Sequence, residues 1–279
     1  MTTLSMTEVI RNVHELPPLP AVVMELLGSL GQEDANIADL AEKVSHDQAL
    51  AAKTLRLANS SFYGMQSKVA TIQQAIAVLG FDSVRTLVTA ASVTSSFYAN
   101  DHSHFNFNAF WRHAIGTALC AKSLAPRLNL NRDYAFIVGL LHDIGKLVLV
   151  TRYPADYARA IAYRDEHDCT MLEAERSVLG LDHPAVGKAL TAYWKFPLVM
   201  QDAVGQHHGP FAEGDNAMSM LAHVSDAIAH ALDLSGTAND LVPEVSDIAW
   251  DILKLPPEVL LTVFSEIEKE FEESCQILV

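Results

Sequence analysis

Residues 140–146 read Leu140-Leu141-His142-Asp143-Ile144-Gly145-Lys146, a His-Asp pair carried by an apolar helical run and followed by a glycine and a lysine. Burying an imidazole beside a carboxylate costs on the order of several kcal/mol unless something compensates them. A divalent cation is the usual compensation. Successive helical side chains point about 100° apart, so both groups reach one ion only where it sits in the wedge between them.

On either side of this string, apolar residues recur at helical spacing: Val23, Leu26, Leu27 and Leu30 near one end, and Leu260, Val263, Phe264 and Ile267 near the other, with Phe271 a turn further on. Sustained period-two alternation is missing, so the chain is predicted to be all-α, with a dozen or more helices and negligible sheet. Punctuation agrees with this. Pro17-Pro18 precedes one helix, Asn59-Ser60-Ser61 with Gly64 ends another, and Gly80 closes a third.

With 279 residues, half of them hydrophobic and 19% charged, the chain can bury a real core and is not a disordered polymer. Its net charge of −15 excludes a general nucleic-acid binder that neutralises phosphates with a basic surface. Any anionic substrate would need a local cation. Cys120, Cys169 and Cys275 lack the spacing of a disulfide framework or a metal knuckle, and are expected to be free thiols in a reducing cytoplasm. The first eighteen residues mix Glu8, Arg11 and Glu15 into their apolar positions, unlike a signal peptide, and no run is expected to span a bilayer.

Residues from about 15 to 100 form an Ala- and Leu-rich half with few titratable clusters. Most of the twelve histidines fall between about 106 and 235, with His102 and His104 just before. Chemistry is expected in that second region. A polar break at Ser235-Gly236-Thr237 leads to two further helices over 236–279, read as an extension packed on the domain. The last of them carries Glu266, Glu268, Glu270, Glu272 and Glu273 on what should be a solvated face.

Besides His142 and Asp143, the candidate ligands are His113, His183, the adjacent His207 and His208, and Asp226. Each has a plain alternative. His113 can be a core histidine, Asp182-His183 a helix cap, His207-His208 a helix end, and Asp226 a partner of His230 at i+4. Together, however, five elements supply imidazoles or carboxylates in a chain otherwise poor in charge, as helical bundles do when they build metal sites. A His and Asp set without cysteine suits iron, manganese, nickel or zinc, and two close ions would form a hydrolytic centre.

Several separate strings occur together and in order: LPPLPAVVMELL at 16–27, ALAAKTLRLANSSFYG at 49–64, TIQQAIAVLGFDSVRTL at 71–87, DHPAVGKALTAYWKFP at 182–197, then His207-His208. Over about residues 15–212 the chain resembles the HDOD domain, a bacterial signalling module related to the HD phosphohydrolases. The resemblance implies an all-helical fold whose second half is HD-like. It also implies that His113, His142, Asp143 and Asp226 form the basic metal site, with Asp143 bridging if two ions bind. His183, His207 and His208 would supply the additional ligands of a multinuclear centre, as in HD-GYP cyclic-dinucleotide phosphodiesterases, and Lys146 would face a substrate phosphate. Where HD-GYP proteins carry a polar Gly-Tyr-Pro segment, this chain has Gly209-Pro210-Phe211 after the double histidine. Cyclic di-GMP is therefore not carried over as the substrate.

Two functions are expected as alternatives. One is a metal-dependent phosphohydrolase or phosphodiesterase in bacterial signal transduction, with Asp143 and Lys146 as its catalytic groups, one or two divalent transition-metal ions, and a phosphorylated small molecule or nucleotide as substrate. The other is a non-catalytic regulatory module that keeps the pocket as a structural or sensing device and engages a signalling protein.

Overall fold

The computed structural model describes residues 4–16, 18–28, 37–59, 68–97, 105–237 and 241–278. Among the described residues there are sixteen α-helices and no strand. Leu30, Ser60, Ser61, Gly64, Pro17, His102 and His104 lie outside them.

The first half contributes α1 (Met6–His14), α2 (Ala21–Gly28), α3 (Ile37–His46), α4 (Gln48–Ala58), α5 (Ile72–Leu79) and α6 (Phe81–Ser96). Local sequence sets their ends. Asp47 and Thr71 accept from the backbone N–H groups of Leu50 and Gln74, capping α4 and α5. Gly80 joins α5 to α6 at φ 86°, a left-handed conformation that glycine adopts without penalty.

The second half runs through α7 (Phe107–Leu124), α8 (Arg132–Leu141), α9 (Ile144–Arg152), α10 (Pro154–His167), α11 (Met171–Leu179), α12 (His183–Tyr193), α13 (Leu198–Gln206) and α14 (Ala217–Ala231). A short helix, α15 (Asp247–Leu253), and a long one, α16 (Pro257–Leu278), complete the order.

One continuous apolar cluster runs from Val9 and Val13 on α1 to Phe271 and Cys275 on α16, so the two halves share a core. The seam is α6, buried from Val84 through Thr94. From it, the buried guanidinium of Arg85 donates to the Tyr134 hydroxyl on α8 at 2.8 Å. On the far side, Asn12 of α1 donates to the Tyr153 hydroxyl at 2.6 Å.

Two close backbone approaches fix α8 and α9 against their neighbours. A Cβ at Gly139 would lie 2.6 Å from the Ala118 Cα, so α8 lies directly on α7. A Cβ at Gly145 would collide with the His183 carbonyl, so α9 crosses the start of α12 backbone to backbone. That crossing brings Asp143 beside His183.

Two expectations gain detail from the structure. The segment Arg132–Arg152 is long and apolar enough to cross a membrane by length and composition, although 83% of its most apolar stretch is buried inside the fold. It is in fact two helices, broken at His142-Asp143. Glu266, Glu268 and Glu272 of α16 are exposed, as a solvated face requires, and two of them also reach α7: Glu272 pairs with Arg112 at 2.7 Å, and Glu266 accepts from the Ser123 hydroxyl.

Candidate metal centre

The site forms where α8 ends and α9 begins. Asp143 is the N-cap residue of α9 with φ −96° and ψ 7°, so the helical path breaks there while His142 keeps helical backbone angles, and both side chains turn inward. His113 comes from the middle of α7, His183 from the first position of α12, His207 and His208 from the end of α13, and Asp226 from α14. His113, His142, Asp143, His183, His207 and Asp226 are buried, while His208 and Lys146 are half-buried.

Asp143 presents its two oxygens to two sets of partners. Its Oδ1 faces His183 Nε2 at 3.0 Å and His207 Nε2 at 3.7 Å, with His208 Nε2 a further 3.2 Å from His183 Nε2. Its Oδ2 faces His142 Nε2 at 3.5 Å and His113 Nε2 at 3.9 Å, and accepts from Lys146 Nζ at 2.6 Å. Asp226 Oδ1 closes the second set, 2.9 Å from His113 Nε2 and 3.4 Å from His142 Nε2. Potential ligand atoms of Asp143, His183, His207 and His208 lie within 4.8 Å of one another, as do those of His113, His142 and Asp143. All seven sequence-predicted metal-site residues therefore meet in one place, around a carboxylate with two faces. Lys146 is there too, with its ammonium on Asp143.

The histidines are held from behind. His142 Nδ1 lies 2.6 Å from the Gly139 carbonyl, and His207 Nδ1 2.7 Å from the Val204 carbonyl. A carbonyl oxygen only accepts, so each Nδ1 carries a proton and each Nε2 is turned into the site. His183 Nδ1 is held by Glu175 Oε2 at 2.6 Å, the same oxygen that accepts the His183 backbone N–H at 2.7 Å. The Tyr157 hydroxyl donates to the other oxygen of Glu175 at 3.3 Å. A carboxylate behind an imidazole fixes its tautomer and raises its basicity as a ligand.

Electrostatics explain the titration directions. Asp143, Asp226 and Glu175 against Lys146 leave two uncompensated negative charges among buried groups if the imidazoles are neutral. Burial alone would raise Asp143, but Lys146, His142 and His183 hold its carboxyl well below the usual range. Burial opposes ionisation of Asp226 in the same way, and hydrogen bonds from His113 and His142 overcome it. His142, lowered by burial, is carried up to about 10 by Asp143 and Asp226. His207 has less anionic company, and burial pushes it down to about 4. Burial, with His207 and His183 alongside, also holds His208 well below its ordinary value.

The donor set fits a divalent cation. His207 Nε2 and Asp143 Oδ1 are buried without a hydrogen-bond partner, although each is turned toward the other side chains of the site. Leaving such atoms unsatisfied costs about 1–3 kcal/mol each, and an ion among them removes that cost. The ligands are imidazole and carboxylate with no sulfur, which suits iron, manganese, nickel or zinc.

A family model for the HDOD domain matches residues 16–210. The chain belongs to the HDOD family. Among solved structures, a Shewanella amazonensis protein provisionally named a phosphohydrolase superposes with a TM-score of 0.78 at 28% identity, covering 97% of this chain and 98% of that one. A Marinobacter aquaeolei protein, provisionally named for signal transduction, superposes with a TM-score of 0.75 at 25% identity, covering 95% of this chain and 60% of that one. An uncharacterised Treponema pallidum protein is 23% identical over 209 residues, 74% of this chain but 40% of its own length. This HDOD chain thus spans well under half of that relative.

Sequence reasoning missed Glu175 and Tyr157. A signal for Glu175 was present, since it lies in the buried stripe of α11 with Ala174, Val178 and Leu179, where a carboxylate is out of place. His223, by contrast, is structural: its Nδ1 donates to the His207 carbonyl and its Nε2 accepts from the Ser246 backbone N–H.

Proposed function

We propose that this HDOD chain is a divalent-metal-dependent phosphohydrolase acting on phosphoesters, most directly phosphodiesters of small molecules or nucleotides. The observation that supports this most is Asp143, whose two oxygens serve two groups of inward-facing imidazoles. Asp143 and Asp226 supply the charge that would hold the ions, His183, His207 and His208 would complete one position, and His113 and His142 the other. Ions held there supply Lewis acidity, lowering the pKa of water and neutralising charge on phosphoryl oxygens.

The protein's own groups do the rest. Glu175 and the Gly139 and Val204 carbonyls keep three rings in register, so little reorganisation is needed when substrate enters. The partly exposed Lys146 Nζ is fixed by Asp143 at the edge of the site, where it would contact a phosphate oxygen. The name given to the Shewanella protein supports this class of reaction. The Marinobacter neighbour supports a place in signalling, where the same pocket in a non-catalytic module would bind a cation and a partner protein.

The test is hydrolysis of an activated phosphodiester, and of a panel of mono- and cyclic nucleotides, by protein loaded with manganese or iron. Turnover that needs added metal is expected. If the metal-loaded chain hydrolyses none of them while a signalling partner still binds Asp143→Ala, the regulatory reading replaces the enzymatic one.

A further inference from the structure

His230 belongs to neither set of predicted ligands, yet it stands at the outer edge of one. It lies one helical turn beyond Asp226 on α14, so both side chains leave the same face. Its Nε2 is 3.4 Å from Asp226 Oδ1, and its ring centroid is 4.2 Å from that of His113, tilted by 38°. Potential ligand atoms of His113, Asp226 and His230 all lie within 4.8 Å of one another. The side chain is 17% exposed, against 3% for Asp226, so His230 is the member of this group nearest to solvent.

Two neighbouring imidazoles whose Nε2 atoms approach one buried carboxylate oxygen make a ligand set in their own right. We propose that His230 is a metal ligand, completing with His113 and Asp226 the cation position on the side of the site away from His183, His207 and His208. This rests on the metal-dependent reading above. It adds that the two positions are unlike: one is tied through His183 to buried Glu175, and the other is finished by a half-buried histidine. The ion beside His230 is therefore the more exchangeable of the two. The competing role for His230 is an outer hydrogen-bond partner that only orients Asp226.

The test is anomalous diffraction from manganese-loaded crystals of the wild type, His230→Gln and His230→Ala, with metal affinity measured in solution. The wild type should show two peaks, one of them at about 2.0–2.3 Å from His230 Nε2. In both variants that peak should weaken, with affinity reduced tenfold or more, while the peak beside His183 and His207 persists. Two full peaks in both variants, or a wild-type ion clearly beyond bonding distance of His230, would overturn the proposal and leave the metal-dependent reading standing. A wild type that takes no metal at all would overturn both.

Discussion

In α6, buried Thr89 and Thr94 return their hydroxyls to carbonyls one turn back in the same helix, both at 2.9 Å. Between α7 and α14 the buried polar groups do the opposite: His113, His142, Asp143, His183, His207 and Asp226 leave their own helices and face one another. Both regions bury polar atoms in the same continuous core. The first satisfies these two hydroxyls locally, which adds nothing but packing. The second gathers them where only positive charge can satisfy them, and that is the difference between a scaffold and a site.

Asp143→Ala strains this contrast most. Removing the carboxylate shared by both sets of imidazoles should reduce metal affinity by more than about a hundredfold, beyond the 10- to 100-fold typical of losing a partner outside the ligand set. Isothermal titration with manganese measures this, and activity should fall in parallel. Binding that survives unchanged would show that Asp143 is not the shared ligand.

Gly145→Ala should come next, because the added Cβ meets the His183 carbonyl backbone where no flexible group can yield. A loss of at least about 1–3 kcal/mol is expected from denaturant unfolding, together with weaker metal binding as α9 is forced off α12. Weaker stability with intact binding would separate the crossing from the site.

Glu175→Gln tests the support behind His183 alone. One oxygen of the carboxylate now accepts from two donors, and an amide cannot serve both as well, so metal affinity should drop about 10- to 100-fold at the His183 position. Circular dichroism should remain that of the folded chain. An unchanged affinity would reduce Glu175 to a packing residue.

The smallest effect is expected in the first half, from Lys53→Met. Lys53 Nζ donates to Thr94 Oγ1 at 2.8 Å, and burial lowers its pKa from 10.5 to about 8. Between those values the unfolded chain binds more protons than the folded one, so this lysine makes stability rise as pH climbs from about 8 to 10.5. In a dry site the shift would carry about 3 kcal/mol, but Lys53 is half-exposed and solvent reduces it to about 1 kcal/mol. The variant should lose that rise, seen by urea unfolding across the pH range, and bind metal as the wild type does. A change in metal binding would blur the division between the two regions.

Much of the fold could be read from the sequence because burial imposes a period. Val23, Leu26 and Leu27 are buried as their spacing requires, as are Val263, Ile267 and Phe271. The His142-Asp143 pair was legible because two adjacent charged groups inside an apolar run demand compensation. The two-faced role of Asp143 was not derivable from spacing, since it depends on the helix breaking at that residue rather than continuing through it. The partner of Glu175 was hidden for a different reason, although the carboxylate itself stands out in the buried stripe of α11. Its link to His183 runs across a turn between two helices, and no motif spacing records a contact made by tertiary packing.

Native mass spectrometry of the manganese-loaded chain bears most directly on the central claim, because it counts ions on intact protein without requiring a substrate. Two bound ions in the wild type, lost together in Asp143→Ala, is the predicted result. A wild type that stays metal-free at saturating manganese would contradict it, and the converging histidines and aspartates would then be held together by protons alone.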